Sequence, residues 1–133
     1  MFKYNFTLRL HHTDAAGAIF FSNLFTLAHE CYEEFLKEID FPIAMILKDR
    51  KIIIPIVAAS AEYYKLMSIG EKFLIQMRLV EIQDSGFELN YDFSREKSAE
   101  KVAKARTRHI VIEKDTRNVL PVPTKLINAF SKF

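Results

Sequence analysis

One stretch of helical periodicity, residues 24–39, most constrains the fold of this chain. Its apolar residues recur at spacings of three and four, which places them in a stripe along one side of an α-helix. A second, partly apolar stripe lies about a quarter turn away, and charged residues fill the opposite side. We therefore expect one long helix whose first stripe packs on a sheet. The second stripe would either line a cleft or contact a second chain. The first stripe contains Leu24, Leu27, Ala28, Cys31 and Phe35, and the second contains Phe25, His29, Tyr32 and Leu36.

Strand periodicity covers most of the remaining sequence. Alternation of apolar and polar side chains predicts half-buried strands, and Asp84-Ser85-Gly86 predicts the turn of a hairpin. Residues 52–64 are rich in Ile, Val and Ala, and we expect them to form a long or bent strand that becomes central and buried. Pro42 ends the helix, and the connection from there to Arg50 has no pattern that fixes its structure, whereas residues 126–130 predict a short terminal helix. The predicted strands are residues 2–10, 52–64, 72–79, 87–93 and 102–113.

The order of these elements is strand, loop, long helix and then four strands. Strands that follow one another after an isolated helix indicate an α+β fold with an antiparallel sheet rather than alternating βαβ units. The sequence thus predicts a five-stranded antiparallel sheet with one long helix across its face. Its 133 residues suit a single domain, residues 1–133, with a sizeable core. A free sheet edge and the second helix stripe predict a homodimer at least, and we expect a homotetramer as the full assembly.

The composition argues against several classes of protein. The formal net charge is only +2 and is evenly spread, so we expect no nucleic-acid partner. No apolar segment is long enough to cross a bilayer and no signal peptide precedes the first strand, so we expect a soluble cytoplasmic protein. Cys31 is the only cysteine and fits packing within the helix. The four histidines lack metal-ligand spacing and there is no phosphate-binding glycine motif, so neither a metal nor a cofactor is expected.

Residues 11–17, with the sequence HHTDAAG, form the stretch most suited to chemistry. Asp14 stands in a loop of small and polar residues just before the long helix, where backbone N–H groups and the helix dipole favour negative charge. Gly17 permits a backbone conformation closed to other residues, and Ser22 or Asn23 is suited to cap the helix. From the residues alone, Asp14 is either a catalytic nucleophile or base, or an Asx-turn residue that stabilises the loop.

These residues resemble the hotdog-fold acyl-CoA thioesterases of the 4-hydroxybenzoyl-CoA thioesterase type. The most specific features are the Asp-Ala-Ala-Gly loop at 14–17 and the helix sequence Ala-His-Glu-Cys-Tyr-Glu at 28–33, and the resemblance extends over residues 1–121. Within the family, the combination of TDAAG, FFSN and HECYE resembles the 1,4-dihydroxy-2-naphthoyl-CoA hydrolases of phylloquinone and menaquinone biosynthesis. Ser22 stands where acyl-CoA thioesterases of another common branch carry a histidine, which favours the aryl-CoA branch.

The resemblance implies hydrolysis of a CoA thioester, without a cofactor, by a hotdog fold in which a five-stranded antiparallel sheet wraps around one long central helix. Asp14 would attack the carbonyl carbon or activate a water, and the backbone N–H groups of Phe21 and Ser22 would stabilise the oxyanion. His29 would face the acyl group from across the dimer and bond a ring hydroxyl. The candidates for the aryl pocket are Phe20, Phe25 and Tyr32, and those for holding the CoA phosphates are Lys65, Arg106 and Arg108.

Simpler explanations of several residues stay open at this point. His29 also fits a half-buried helix histidine with a local partner. Aromatic side chains more often pack in a core, and basic residues on an exposed strand are usually solvated. The alternative functions are a general acyl-CoA thioesterase and a non-catalytic hotdog module that binds acyl-CoA. Asp14 argues against the module, because a binder would not need its carboxylate.

Overall fold

A five-stranded antiparallel sheet is the framework of the protein in a computed structural model that describes residues 1–49 and 51–133. The strands are β1 (Phe2–Thr7), β2 (Ile52–Ile53), β3 (Ile56–Tyr63), β4 (Lys72–Gln83), β5 (Gly86–Arg95), β6 (Lys101–Ile110) and β7 (Ile112–Glu113), and the helices are α1 (Asn23–Glu38), α2 (Ile43–Asp49) and α3 (Thr124–Phe130). The strand order in the large sheet is β1-β4-β5-β6-β3, and β2 pairs with β7 in a small separate sheet.

The hairpin of β4 and β5 lies at the centre of the large sheet and confirms the prediction made from its alternation. Alternate residues in the first half of β4 are buried, and most of β5 is buried. Gly86 begins β5 at a point where a Cβ atom would lie 2.6 Å from the carbonyl oxygen of His109. The close approach of β5 to β6 therefore depends on glycine at this position.

Helix α1 packs on the sheet with the stripe that its periodicity predicted. All five residues of the first stripe are fully buried, and each large apolar side chain buried in this way stabilises the fold by about 2 kcal/mol. In the second stripe Tyr32 and Leu36 are also buried, whereas Phe25 and His29 are half-buried. The second stripe is therefore open to solvent only in the N-terminal half of α1, close to the loop that precedes the helix.

Two short α-helices accompany α1 in the described residues, so the prediction of a sheet with one long helix is incomplete. The terminal helix predicted at residues 126–130 is α3. The sequence pattern did not predict α2, because its seven residues are too few for a periodic stripe. Pro42, expected only to end α1, also starts α2, and its carbonyl accepts the N–H groups of Met45 and Ile46 at 2.9 and 3.2 Å. Arg50, the end of the connection without a clear pattern, lies outside the described residues.

The segment predicted to be central and buried, residues 52–64, is neither. The turn at Pro55 divides it between β2 and β3, and β3 pairs with β6 alone among the described strands. Seven of the eight residues of β3 are exposed. The prediction is wrong because a run of Ile, Val and Ala does not distinguish a strand buried within one chain from an edge strand suited to another chain.

A polar cluster lies in the core between α1 and the sheet. The Oγ1 atom of Thr107 lies 2.9 Å from Nε2 of His109 and 3.3 Å from the hydroxyl of Tyr91. The His109 ring stacks on Phe87 and faces Tyr32, with ring centroids 4.7 and 4.8 Å apart. Within the described chain, Nδ1 of His109 and the hydroxyl of Tyr32 are buried without a hydrogen-bond partner. A proton added to His109 would therefore place a charge in the core.

The buried His109 makes the stability of the fold depend on pH. Burial, with the charge of His29 as a smaller cause, lowers the pKa of His109 from 6.5 to about 4. Between these values the unfolded chain takes up a proton that the folded chain does not, so the free energy of unfolding falls as the pH is lowered. From pH 7 to pH 4.5 we expect His109 to contribute a fall of about 2 kcal/mol.

Urea unfolding of the wild type and of His109→Gln at these two pH values measures this contribution. Glutamine stays neutral, so the variant should lose about 2 kcal/mol less than the wild type over the same interval, whatever its stability at pH 7. Equal losses in the two proteins would contradict a neutral, buried His109.

Candidate active site

The loop before α1 holds Asp14 in a fixed and exposed position. Its Oδ1 atom accepts the N–H of Ala16 at 2.8 Å and that of Ala18 at 3.2 Å, which is an Asx-turn arrangement. The Asp14 N–H donates to the Ala18 carbonyl at 2.8 Å and closes the same turn. Oδ2 makes no hydrogen bond to any residue that the structure describes. One oxygen of the carboxylate thus stabilises the loop, and the other is open to solvent, so the structural and catalytic explanations of Asp14 are compatible.

The loop is also held against the segment that precedes β4. Gly17 has a φ of +76°, as expected for a position that favours glycine. Its carbonyl accepts the Ile69 N–H at 2.8 Å, and a Cβ atom at Gly17 would lie 3.4 Å from the Ile69 side chain. The Ile19 N–H donates to the Met67 carbonyl at 2.9 Å. These contacts fix the C-terminal end of the loop.

The supporting segment is itself fixed by Arg95, which no sequence pattern indicated. Arg95 forms ion pairs with Glu71 and Glu100 and donates to the Leu66 carbonyl at 2.8 Å. The carboxylate of Glu71 also accepts the Ser68 N–H at 2.8 Å. The end of β5 therefore holds the segment against which the Asp14 loop packs.

The chain enters α1 through a tight turn rather than through a side-chain cap. Ser22 occupies the N-cap position, but its side chain makes no capping hydrogen bond and its backbone is helical. The side chain of Asn23 points back to the loop and donates to the His12 carbonyl at 2.9 Å. The prediction that Ser22 or Asn23 caps the helix is wrong, because the Leu24 and Phe25 N–H groups that a cap at Ser22 would bind already donate to the Phe21 and Ser22 carbonyls, at 3.4 and 3.2 Å.

Two backbone N–H groups at this helix start are left without an acceptor. Neither the Phe21 N–H nor the Ser22 N–H donates a hydrogen bond to any atom of residues 1–49 and 51–133. They lie at the positive end of the α1 dipole, where an anion is stabilised. The Phe20 N–H donates to the His12 carbonyl at 3.0 Å, so this turn and the Asp14 loop are joined directly.

Tyr63, at the end of β3, joins this site from a distant part of the sequence. Its hydroxyl donates a hydrogen bond to the carbonyl oxygen of Phe21. Burial raises the pKa of Tyr63 above its usual value, so the hydroxyl stays protonated at neutral pH. Sequence periodicity did not identify this contact, which joins residues 42 positions apart. The available signal was the pair Tyr63-Tyr64 at the end of an apolar strand.

The aromatic residues expected in an aryl pocket fall into two environments. Phe20 and Phe21 are 45% and 63% exposed, and their rings lie 4.9 Å apart beside the loop. Phe25 is half-buried in the next turn of α1. Tyr32 lies in the core instead, where its ring contacts His109. The expectation that Tyr32 lines an open pocket therefore needs correction, since the core extends further around α1 than the stripe pattern suggested.

His29 lies one turn beyond Phe25 on the partly open face of α1. Its Nδ1 atom is 3.7 Å from a carboxylate oxygen of Glu33, and its ring packs edge-on against Tyr32 with centroids 5.6 Å apart. The side chain is 41% exposed. His29 thus has the expected local partner and still presents part of its ring to solvent.

The basic residues expected to hold the CoA phosphates are not gathered into one cradle. Arg106 and Arg108 alternate with buried residues of β6, so they project from the face of the sheet opposite α1. Arg106 pairs with Glu88 at 3.2 Å, and Arg108 lies 3.3 Å from the side chain of Gln83. Lys65 is exposed just after the end of β3. Within one chain these residues present separate charges.

The described ranges contain no helix that is both long and apolar enough to cross a membrane. They also contain no group of three or more His, Cys, Asp or Glu side chains placed to hold a metal ion.

The sequence and the fold of this chain match those of known thioesterases. Residues 8–130 match the model of the thioesterase-like superfamily. The chain is 31% identical to a 1,4-dihydroxy-2-naphthoyl-CoA hydrolase from Rippkaea orientalis, over 96% of this chain and 93% of the relative. It is 33% identical to another from Nostoc punctiforme, over 95% and 84%. A crystal structure of a 1,4-dihydroxy-2-naphthoyl-CoA thioesterase from Synechocystis superimposes with a TM-score of 0.94 and 26% identity, covering 99% of this chain and 96% of that one.

These matches extend over nearly the whole sheet and all of α1, and they confirm the resemblance indicated by the loop and helix sequences. The Asp14 loop and the start of α1 lie inside the matched region. The chain therefore belongs to the thioesterase-like superfamily and is a thioester hydrolase of the hotdog fold.

Proposed function

We propose that this protein hydrolyses an aryl-CoA thioester, namely 1,4-dihydroxy-2-naphthoyl-CoA of phylloquinone or menaquinone biosynthesis. The observation that carries the proposal is the combination of a free carboxylate oxygen on Asp14 with two unused N–H groups at Phe21 and Ser22. Thioester hydrolysis needs a nucleophile or base and a site for the oxyanion. The names of the Rippkaea and Nostoc relatives support the choice of acyl group.

The reaction begins at Oδ2 of Asp14, which attacks the thioester carbonyl carbon or takes a proton from a water that attacks it. Negative charge develops on the carbonyl oxygen, where the N–H groups of Phe21 and Ser22 stabilise it with the helix dipole behind them. The C–S bond then breaks and CoA leaves as a thiolate, which takes up a proton from the water consumed in the reaction. If Asp14 attacks directly, a water next hydrolyses the mixed anhydride and restores the carboxylate. Both routes yield the free acid and CoA.

The aromatic acyl group binds at the partly open face of α1. Phe20 and Phe25 supply apolar surface beside the loop, and His29 supplies a ring nitrogen that reaches a ring hydroxyl. Because Tyr32 is buried in the core, its contribution to this pocket is to support the His29 ring. Lys65, Arg106 and Arg108 carry the exposed positive charges proposed to attract the CoA phosphates.

The working assembly is a homodimer or a homotetramer. The support for this part of the proposal is β3, an edge strand with Ile56 and Val57 41% and 52% exposed. A long apolar edge left open would favour aggregation, so a second copy of the chain is its natural cover.

A general acyl-CoA thioesterase is the second candidate. The same carboxylate and N–H groups would serve an aliphatic ester, and the exposed rings of Phe20 and Phe21 also suit an alkyl chain. The aryl substrate is favoured because the partly exposed ring of His29 offers a hydrogen-bonding group that a ring hydroxyl can use and an alkyl chain cannot. A non-catalytic module that binds acyl-CoA is disfavoured, since it has no use for the free oxygen of Asp14.

Replacing Asp14 with asparagine tests the catalytic group. We expect kcat for thioester hydrolysis to fall about 100-fold or more, because the amide cannot attack or accept the proton. Its Oδ1 atom still accepts the N–H groups of Ala16 and Ala18, so the melting temperature should stay close to that of the wild type. Asp115→Asn, in an exposed turn, is the matched control and should keep full activity. Wild-type kcat in Asp14→Asn would refute the role of this carboxylate.

Steady-state hydrolysis of a panel of aryl and aliphatic CoA esters tests the substrate. We expect kcat/KM for 1,4-dihydroxy-2-naphthoyl-CoA to exceed that of aliphatic esters by about tenfold or more, because the pocket is built from aromatic rings. A faster aliphatic ester would favour the general thioesterase and leave the reaction class intact.

His29→Ala tests the contact with the ring hydroxyl. The ratio of kcat/KM for 1,4-dihydroxy-2-naphthoyl-CoA to that for unsubstituted 2-naphthoyl-CoA should fall by up to about tenfold, the value of one hydrogen bond. The unsubstituted ester serves as the internal control, because it loses the apolar contact with His29 but no hydrogen bond. If the ratio did not change, His29 would not contact the hydroxyl.

A further inference from the structure

The hydrogen bond from Tyr63 to Phe21 acts on one of the two peptide groups proposed to stabilise the oxyanion. The Phe21 carbonyl and the Ser22 N–H belong to the same peptide group. A trans peptide is planar, so its C=O and N–H bonds point in opposite directions. Fixing the carbonyl oxygen from one side therefore fixes the direction in which the Ser22 N–H points on the other side.

The same contact strengthens the N–H as a donor. A hydrogen bond accepted by a carbonyl polarises its peptide group and makes the attached N–H a better donor, which is the cooperativity seen in chains of hydrogen bonds. Within the helix, this carbonyl is reached only by a long contact from the Leu24 N–H, at 3.4 Å. Tyr63 therefore adds a side-chain hydrogen bond to a carbonyl that the helix backbone itself binds only weakly.

Tyr63 reaches this carbonyl from a strand that the sheet holds in place. In β3 it pairs with Ala103 of β6, and the N–H of the next residue, Tyr64, donates to the Val102 carbonyl at 2.9 Å. The phenol ring is thus attached to a hydrogen-bonded strand rather than to a loop. A fixed donor of this kind holds the peptide group before substrate arrives, which is the condition for effective oxyanion stabilisation.

We infer that Tyr63 is a positioning residue for thioester hydrolysis, which aims and polarises the Ser22 N–H at the developing oxyanion through the Phe21 carbonyl. The inference rests on the proposed function. It gives β3 a role in catalysis through Tyr63 in addition to its structural role in the sheet. Because the full negative charge exists only in the transition state, loss of the Tyr63 hydroxyl should affect kcat rather than KM.

The neighbouring tyrosine provides a matched control. Tyr63 and Tyr64 are both 43% exposed, but the Tyr64 hydroxyl donates to the carboxylate of Glu62 at 2.8 Å. Tyr63→Phe and Tyr64→Phe therefore remove the same atom from adjacent positions of equal exposure. Only the first removes a hydrogen bond to the start of α1.

The test measures kcat, KM and the amide NMR signal of Ser22 in the full chain of the wild type and both variants. In Tyr63→Phe we expect kcat to fall about tenfold, a fraction of the 100-fold or greater loss typical when an oxyanion donor is removed entirely, with KM within twofold of the wild type. The Ser22 amide nitrogen should shift, because its peptide group loses the polarising bond. Tyr64→Phe should leave kcat and the Ser22 signal unchanged.

The outcomes separate this inference from the proposed function. If the wild type is active and kcat of Tyr63→Phe stays within twofold of it, the role of Tyr63 is refuted and the proposed function stands. An unchanged Ser22 signal in Tyr63→Phe also refutes it, whatever the rates. A wild type that hydrolyses no CoA thioester refutes the proposed function, and the role of Tyr63 falls with it.

Discussion

Burial of the first stripe of α1 against the sheet is the constraint on which the site depends. Leu24 and Leu27 are fully buried within the first two turns of the helix, so the start of α1 cannot move without exposing core surface. The tight turn before the helix and the Asp14 loop are in turn hydrogen-bonded to that start. The position of the candidate catalytic groups is therefore set by apolar packing that lies behind them.

Periodicity predicted the parts of the fold whose burial is decided within one chain. The stripe of α1 and the β4–β5 hairpin have a buried side and an exposed side, and the alternation of residue types records this directly. The prediction for residues 52–64 came from their composition instead, and it failed because most side chains of β3 are exposed in their own chain. Periodicity missed α2, since seven residues make only two turns. Composition reports how apolar a surface is and not what will cover it.

The candidate site also has a part that the sequence predicted and a part that it did not. Asp14, Phe21 and Ser22 follow one another closely in the chain, and a loop followed by a helix start is visible in the sequence. The contacts that fix these groups are not visible in the sequence, because they are made by Tyr63 and Arg95, which lie at the ends of two other strands. A hydrogen bond between residues 42 positions apart leaves no periodic trace. Helix capping was mispredicted for a related reason, since the backbone turn had already satisfied the N–H that a side chain was expected to bind.

The double hydrogen bond at Oδ1 of Asp14 also has an entropic consequence. A free aspartate on a surface loop samples several rotamers, and selecting one of them during the reaction would add to the activation barrier. In this loop the Ala16 and Ala18 N–H groups select the rotamer when the chain folds. The conformational entropy of the Asp14 side chain is thus lost when the protein folds, where it lowers stability. It does not have to be lost again in each catalytic turnover.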